Sequence, residues 1–479
     1  MKVLFVTSEA EPFAVSGGLG DVMGALPTAI AKSEELSGCE VIMPLYKSTR
    51  ENYGDLLEKV CDISFYLGWR KTGASIFKIK KNNVDYLFVE NHVYFDREML
   101  YGEFDDGERF AFFSTAVIEY IIFSESAPDV LHANDWQTAL TVIYLKTKYK
   151  SNEKLSNIKT VYTIHNIEYQ GKYDLTILGD IFALDDEYLE VVEYDGCINL
   201  TKGAIICADR ISTVSPNYAN ELKYDFFSYG LADIVVKSEN KLKGVLNGID
   251  YSLFSPEADA DIYFPYTRRG VKSGKAKNKK ALQRELGLSE NSATPLAIMI
   301  CRLADGKGID LVLCIIEELL AENLQFVILG VGEEKYESAF LNLEKKHKNF
   351  KALIRFDRKL SKKLYAAADI FLMPSKSEPC GLAQMIACSY GTIPIVRAVG
   401  GLYDTIRPYG SENANGFVFK SYNAHELLYT VREALNIYCD SEKWLSLVKS
   451  AIKSDFSWNN SALEYVEIYN ELMIGKNKE

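Results

Sequence analysis

The chain has 479 residues, of which 48% are hydrophobic and 25% charged, and its formal net charge is −12. That length holds two or three domains with cores of ordinary size. The acidic balance argues against general binding to nucleic acid or to an anionic membrane, and no apolar run reaches the ~18 residues that a membrane-spanning helix needs. The nine Cys are scattered with no C-x-x-C pair, and the five His lie far apart. This fits free thiols in a reducing cytoplasm and offers no zinc site. The 30 Tyr and 24 Phe suit a large aromatic core, or contact with the flat C–H faces of sugar rings.

Met1–Val6 is too short for the apolar region of a signal peptide and reads as a first strand. From there, short β-rich runs alternate with longer helical patterns. Strands are expected at 2–7, 39–44, 84–89, 130–133, 159–164 and 210–214, then at 296–301, 325–330, 351–356, 369–373, 393–396 and 416–419. Segments 110–123, 308–321 and 424–437 carry helical apolar spacing. This alternation predicts an α/β protein of two doubly wound, Rossmann-like domains facing each other across a cleft. The Asn247-Gly248 turn marks the division, giving domains over 1–244 and 245–455. A polar stretch, 255–280, follows. Its seven Lys/Arg from Arg268 to Lys280 read as a solvated loop and helix start, and Asp259-Ala-Asp261 as solvated acid rather than a metal site.

Ligands of open parallel sheets bind at the carboxyl ends of the strands, and the unusual motifs fall there. After the first strand comes Glu9-Ala-Glu-Pro-Phe-Ala-Val-Ser-Gly17-Gly18-Leu-Gly20-Asp21, opening a helix whose free N–H groups suit phosphate. The strand-to-glycine loop is too long for a dinucleotide fingerprint, and Met23 occupies the place of its third Gly. Asp135-Trp136 ends the strand at 130–133; the Trp can stack a sugar and the Asp can bind its hydroxyls, or they can pack and cap. His165 ends the strand at 159–164, followed by Tyr169-Gln170-Gly171. In the second half, Arg302 and Lys307 place two cations beside glycines, the electrostatic help a departing diphosphate requires. Pro374–Gln384 contains Glu378, able to accept from sugar hydroxyls, and Gly381 and Leu382 at a helix start. Cys380 reads as packing rather than nucleophilic, and Gly400-Gly401 opens another helix.

Taken in order, these segments resemble the bacterial and plant glycogen/starch synthase family nearly from end to end. The resemblance also takes in Tyr94-Phe-Asp-Arg97, Tyr101-Gly102, Thr213-Val-Ser-Pro216, Asn415-Gly-Phe-Val-Phe419 and Phe456-Ser-Trp458. It implies a GT-B fold, with a C-terminal helix (456–479) that crosses back onto the first domain. It implies a retaining transfer of glucose from ADP-glucose to the non-reducing 4-hydroxyl of an α-1,4-glucan, with no metal or other cofactor. Arg302 and Lys307 are then the diphosphate clamp, Glu378 positions the donor glucose and His165 holds the transferred sugar. Gly17, Gly18, Asp21, Asp135, Asn247, Gly381, Leu382, Gly400 and Gly401 line the donor side, and Tyr94, Trp136 and Tyr169 border the acceptor. The implied partners are the nucleotide sugar and glycogen, in the cytoplasm; a homo-oligomer is left open. The pattern departs from the family at Val15, where a Lys is usual, and at Asn134, Ser377, Val399 and Arg355-Phe-Asp-Arg358. Those departures frame two alternatives, a weakly active or inactive glucan-binding paralogue and a transferase with another donor.

Overall fold

The computed structural model describes residues 1–476. It divides into two compact units, Met1–Asn247 joined by the segment from Trp458 onward, and Gly248–Ser457. The division falls inside the Asn-Gly turn.

The first unit is built on a nine-stranded sheet of order β12-β11-β7-β6-β1-β2-β5-β4-β3. Its strands are β1 (Lys2–Val6), β2 (Gly38–Pro44), β3 (Glu58–Leu67), β4 (Arg70–Lys81), β5 (Val84–Glu90), β6 (Val130–Asn134), β7 (Lys159–Ile164), β11 (Arg210–Thr213) and β12 (Leu242–Gly244). The run from β12 to β5 is parallel, while β4 and β3 extend it as an antiparallel hairpin. Val3, Leu4, Phe5 and Val6 of the central strand are buried, as a parallel strand covered on both faces must be. A small antiparallel sheet joins β8 (Lys172–Tyr173), β9 (Glu193–Tyr194) and β10 (Cys197–Asn199).

The helix Trp458–Lys476 belongs to this unit and packs on the helix Gly18–Ile30. Its Tyr469 hydroxyl meets His132 Nδ1 at 2.7 Å, and the other ring nitrogen of His132 meets Thr163. This places buried polar groups in satisfied pairs.

The second unit carries a six-stranded, all-parallel sheet of order β15-β14-β13-β16-β17-β18. The strands are β13 (Leu296–Ile300), β14 (Gln325–Leu329), β15 (Phe350–Leu353), β16 (Ile370–Met373), β17 (Ile393–Arg397) and β18 (Phe417–Phe419). All twelve expected strands are present.

The charged stretch differs from its expectation. Lys275 and Lys279 of the helix Val271–Glu285 are buried. Lys279 pairs with Asp369 at 2.6 Å. Lys275 donates to the carbonyls of Tyr365, Ala366 and Tyr390 and to Thr392 Oγ1. Burial pulls its ammonium down to about 7, against the pull of Asp369. Asp259 is not solvated either: it is buried, bonded by the Tyr390 hydroxyl and paired with Lys362 at 3.3 Å.

Candidate active site

Strand order β7-β6-β1 sets three carboxyl ends side by side in the first unit. These ends carry His165, Asn134-Asp135 and Glu9 respectively. Glu9 is buried, and its carboxylate accepts from Ser16 N–H (2.5 Å), Ser16 Oγ (2.7 Å), Gly17 N–H (3.2 Å) and the Tyr101 hydroxyl (2.6 Å). One carboxylate thus fixes the loop that opens the helix Gly18–Ile30. Gly17 and Gly18 are exposed, and a Cβ on either would meet nothing within 4 Å. Neither has a positive φ, so no packing and no backbone strain demands glycine there. The open space suits a ligand brought close to the backbone. Asp21 sits in the first turn of that helix. Val15 lies over Gly20, where an added Cβ would come within 2.9 Å of the valine methyls.

Asn134 is buried and donates both amide hydrogens, to Val6 O and His132 O, each at 3.1 Å. Its Oδ1 therefore has to accept from His165 Nε2, 2.9 Å away. Burial holds the His165 imidazole neutral, its pKa lowered to about 3. A neutral ring with its proton on Nε2 leaves Nδ1 as an acceptor, and Nδ1 has no partner among the described residues. The site therefore presents a hydrogen-bond acceptor, suited to a hydroxyl.

Asp135 adopts φ 59°, ψ 177°, a region that L residues enter at a cost of about 1–3 kcal/mol. Its Oδ1 accepts from the backbone N–H groups of His165 (2.7 Å) and Asn166 (3.4 Å). Burial raises the carboxyl to about 7, and the two backbone donors oppose that rise. Strain of this kind concentrates where geometry serves a site. Asn247 is buried, and its Oδ1 has no hydrogen-bond partner among the described residues.

Trp136 and Tyr169 come together in one open groove of about 750 Å³, lined also by Gly171, Tyr173, Phe226 and Tyr229. Tyr94, expected beside them, does not line it; its hydroxyl donates to Glu108 at 2.8 Å. Tyr173, Phe226 and Tyr229 carry no local motif, and only the fold gathers them.

In the second unit, β13 and β16 are neighbours, so the loops Cys301–Gly308 and Pro374–Leu382 meet. Gly308 has φ 72°, and a Cβ there would lie 2.1 Å from Pro374 O; glycine lets the loops touch. Lys307 Nζ donates to Glu378 Oε2 at 2.7 Å, and Ser375 Oγ donates to the same oxygen at 3.0 Å. Glu378 and Ser375 are buried. Burial would lower the Lys307 ammonium's pKa, but the Glu378 carboxylate outweighs it and the net shift is upward. The cation therefore stays charged at neutral pH. Arg302 is exposed and close enough to act on Lys307 through its charge. The amides of Gly381 and Leu382 have no partner among the described residues, and Leu382 precedes the helix Ala383–Ser389.

Gly400 and Gly401, expected to border the donor, pack closely against the Glu378 loop. Both are buried. A Cβ on Gly400 would lie 1.9 Å from Glu378 O, and one on Gly401 2.2 Å from Cys380 O. Gly401 N–H also donates to Glu378 O at 3.1 Å. The pair is a bed for the Glu378 loop. Val399 is buried beside them. Arg397 Nε holds Ser375 O from the next strand at 2.8 Å. Sequence reasoning missed the supporting roles of Glu9, Asn134 and Ser375, although each stands in or beside a strand-end motif.

A family model for the starch synthase catalytic domain matches residues 2–237, and one for glycosyl transferases group 1 matches 282–452. The chain is 44% identical to a glycogen synthase of Bacillus cereus, over 99% of this chain and 100% of that one. It is 42% identical to a glycogen synthase of Clostridium novyi, over 99% of both. The solved catalytic domain of starch synthase IV from Arabidopsis thaliana, bound to ADP and acarbose, superposes with a TM-score of 0.89. It shares 32% identity, over 98% of this chain and 99% of that one. A sucrose-phosphate synthase from Thermosynechococcus elongatus shares the fold at 15% identity and a TM-score of 0.63, over 99% of both chains. Two parallel-sheet units with cations, a buried carboxylate and open glycines at their strand ends, matched along their whole length by these proteins, place the chain in the glycogen/starch synthase family of GT-B glycosyltransferases.

Proposed function

We propose that the protein transfers glucose from ADP-glucose to the non-reducing 4-hydroxyl of an α-1,4-glucan, with retention of configuration and without a metal cofactor. The observation that carries this reading is the cluster Arg302, Lys307, Ser375 and Glu378, beside the amides of Gly381 and Leu382, which have no partner among the described residues. Cleavage of the donor's glycosidic bond puts negative charge on the departing diphosphate. A fixed ammonium and helix-start amides stabilise that charge as it develops. Lys307 is held by Glu378 before any ligand arrives, so little reorganisation is needed. In this reading the Glu378 carboxylate also accepts from the donor glucose hydroxyls. His165 Nδ1 accepts from a sugar hydroxyl, a role that requires the ring kept neutral by burial and held by Asn134 with its proton on Nε2. The groove of Trp136, Tyr169, Tyr173 and Phe226 takes the glucan, whose C–H faces pack on aromatic rings. A phosphate oxygen of the leaving group takes the acceptor's proton, so no second carboxylate is needed.

Labelled ADP-, UDP- and GDP-sugars supplied with glycogen and purified protein test this reading. ADP-glucose should give the fastest incorporation, and Lys307→Ala or Glu378→Ala should lower it at least about 10²-fold. Faster transfer from another nucleotide sugar overturns the donor assignment. No transfer from any donor favours a glucan-binding paralogue, which the aliphatic Val15 would fit.

A further inference from the structure

The β3–β4 hairpin ends in the turn Leu67-Gly68-Trp69-Arg70, with Leu67 paired to Arg70. Trp69 is 76% exposed, and Tyr66, just before the turn, is 59% exposed. A large apolar ring at a loop tip is ordinarily free to move. This one is fixed from several sides. Its indole Nε1–H donates to Asp180 Oδ1 at 2.6 Å. Arg70 Nη1 donates to the same oxygen at 2.9 Å, and Arg70 Nη2 to Asp180 O at 3.0 Å. The Arg70 guanidinium lies 5.4 Å from the Trp69 ring centre. Gly68 has φ +57°, and a Cβ there would stand 2.5 Å from Asp180 O, so glycine lets the turn close on that segment.

The result is an immobilised indole, mostly in water, with a carboxylate at its Nε1 edge and a guanidinium over one face. A flat C–H face stacks on the ring face that Arg70 does not cover, while hydroxyls at the sugar's rim bond to the carboxylate at its edge. Fixing the ring beforehand removes an ordering cost from binding. The platform is linked to the groove. Arg70 lies 3.7 Å from Glu108, and a Cβ on the adjacent Gly107 would stand 2.8 Å from the ring of Tyr173, which lines the groove with Trp136.

We propose that Trp69, flanked by Arg70 and Asp180, is a second α-glucan platform that grips polymer beyond the sugars lying in the groove. The proposal rests on the glucan reading above. Its role is retention of long chains, not the transfer step.

Affinity electrophoresis in gels containing glycogen tests it, together with kinetics on glycogen and on maltotriose. Trp69→Ala should weaken retardation and raise the glycogen KM about three- to tenfold, the value of one aromatic stacking contact. Its kcat and maltotriose KM should stay at wild-type values. Trp69→Phe should recover most of the retardation, and Asp180→Ala, which frees the ring, should fall between. Melting curves of each variant separate loss of binding from loss of fold. Unchanged retardation and unchanged glycogen KM in Trp69→Ala overturn the platform. Trp69-dependent retardation in a protein inactive with every nucleotide sugar would overturn the transferase reading and leave the platform standing. Transfer to maltotriose without Trp69-dependent retardation would do the reverse.

Discussion

Two glycine pairs in this chain look alike and sit in opposite surroundings. Gly17-Gly18-Leu19 and Gly400-Gly401-Leu402 each open a helix, and each is followed by an Asp at the same spacing, Asp21 and Asp404. In the first pair the space where a Cβ would stand is empty; in the second it is filled by the backbone of Glu378 and Cys380. The first pair leaves its backbone open, as the proposed donor contact requires. The second is glycine so that the protein can pack against itself and hold a carboxylate in place. A motif at a helix start therefore does not reveal whether it touches a ligand or supports the residue that does.

The strongest way to break this comparison is to remove the charges that the packed pair supports. Lys307→Ala takes away a cation that acts on developing charge, and transfer from ADP-glucose should fall about 10²–10³-fold. Urea unfolding of the same variant should show a loss of about 1–3 kcal/mol, because the buried Glu378 carboxylate loses its ion partner. Next in size is Gly401→Ala, whose methyl would meet Cys380 O at 2.2 Å. Overpacking costs about 1–3 kcal/mol, and displacing the Glu378 loop should lower kcat with it. Gly17→Ala sharpens the contrast. Its unfolding free energy should stay within about 0.5 kcal/mol of wild type, while the KM for a substrate rises.

Asp135 gives a pH signature confined to the first unit. Its carboxyl is raised by burial from 3.8 to about 7. Between those pH values the folded chain keeps a proton that the unfolded chain has released, so this group makes stability fall as pH rises. Asp135→Asn removes the effect and can still accept from the two backbone donors. The variant should match wild type near pH 4 and exceed it by on the order of 1–3 kcal/mol at pH 8. Equal stability at both pH values would show that the carboxyl titrates normally. The smallest effect is at Val15. Its Cβ position over Gly20 is compatible with a longer side chain, and Val15→Lys should raise kcat/KM by at most about tenfold.

The sheets were legible because parallel strands covered on both faces read as unbroken apolar runs, as in Val3–Val6 and Leu296–Ile300. The hairpin of β3 and β4 was not. Ile63, Phe65 and Leu67 alternate with exposed Asp62, Ser64 and Tyr66, a one-sided pattern easily passed over beside stronger signals. Polar residues at strand ends were legible for a similar reason: Asp135, His165, Lys307 and Glu378 interrupt apolar or glycine-rich runs. Partners far along the chain were not. Lys279 reads as a solvated charge until Asp369, 90 residues away, is placed against it. Asn134 reads as a substitution until its two donated bonds show that it sets the histidine tautomer.

In the proposed reaction the loops ending β13 and β16 hold a nucleotide diphosphate through Lys307. Calorimetric titration of ADP into wild type and Lys307→Ala, with Trp69→Ala as a folded control, tests it without requiring turnover. Wild type should bind, and Lys307→Ala should bind at least about tenfold more weakly while melting as a folded protein. Equal ADP affinity in wild type and Lys307→Ala would contradict it.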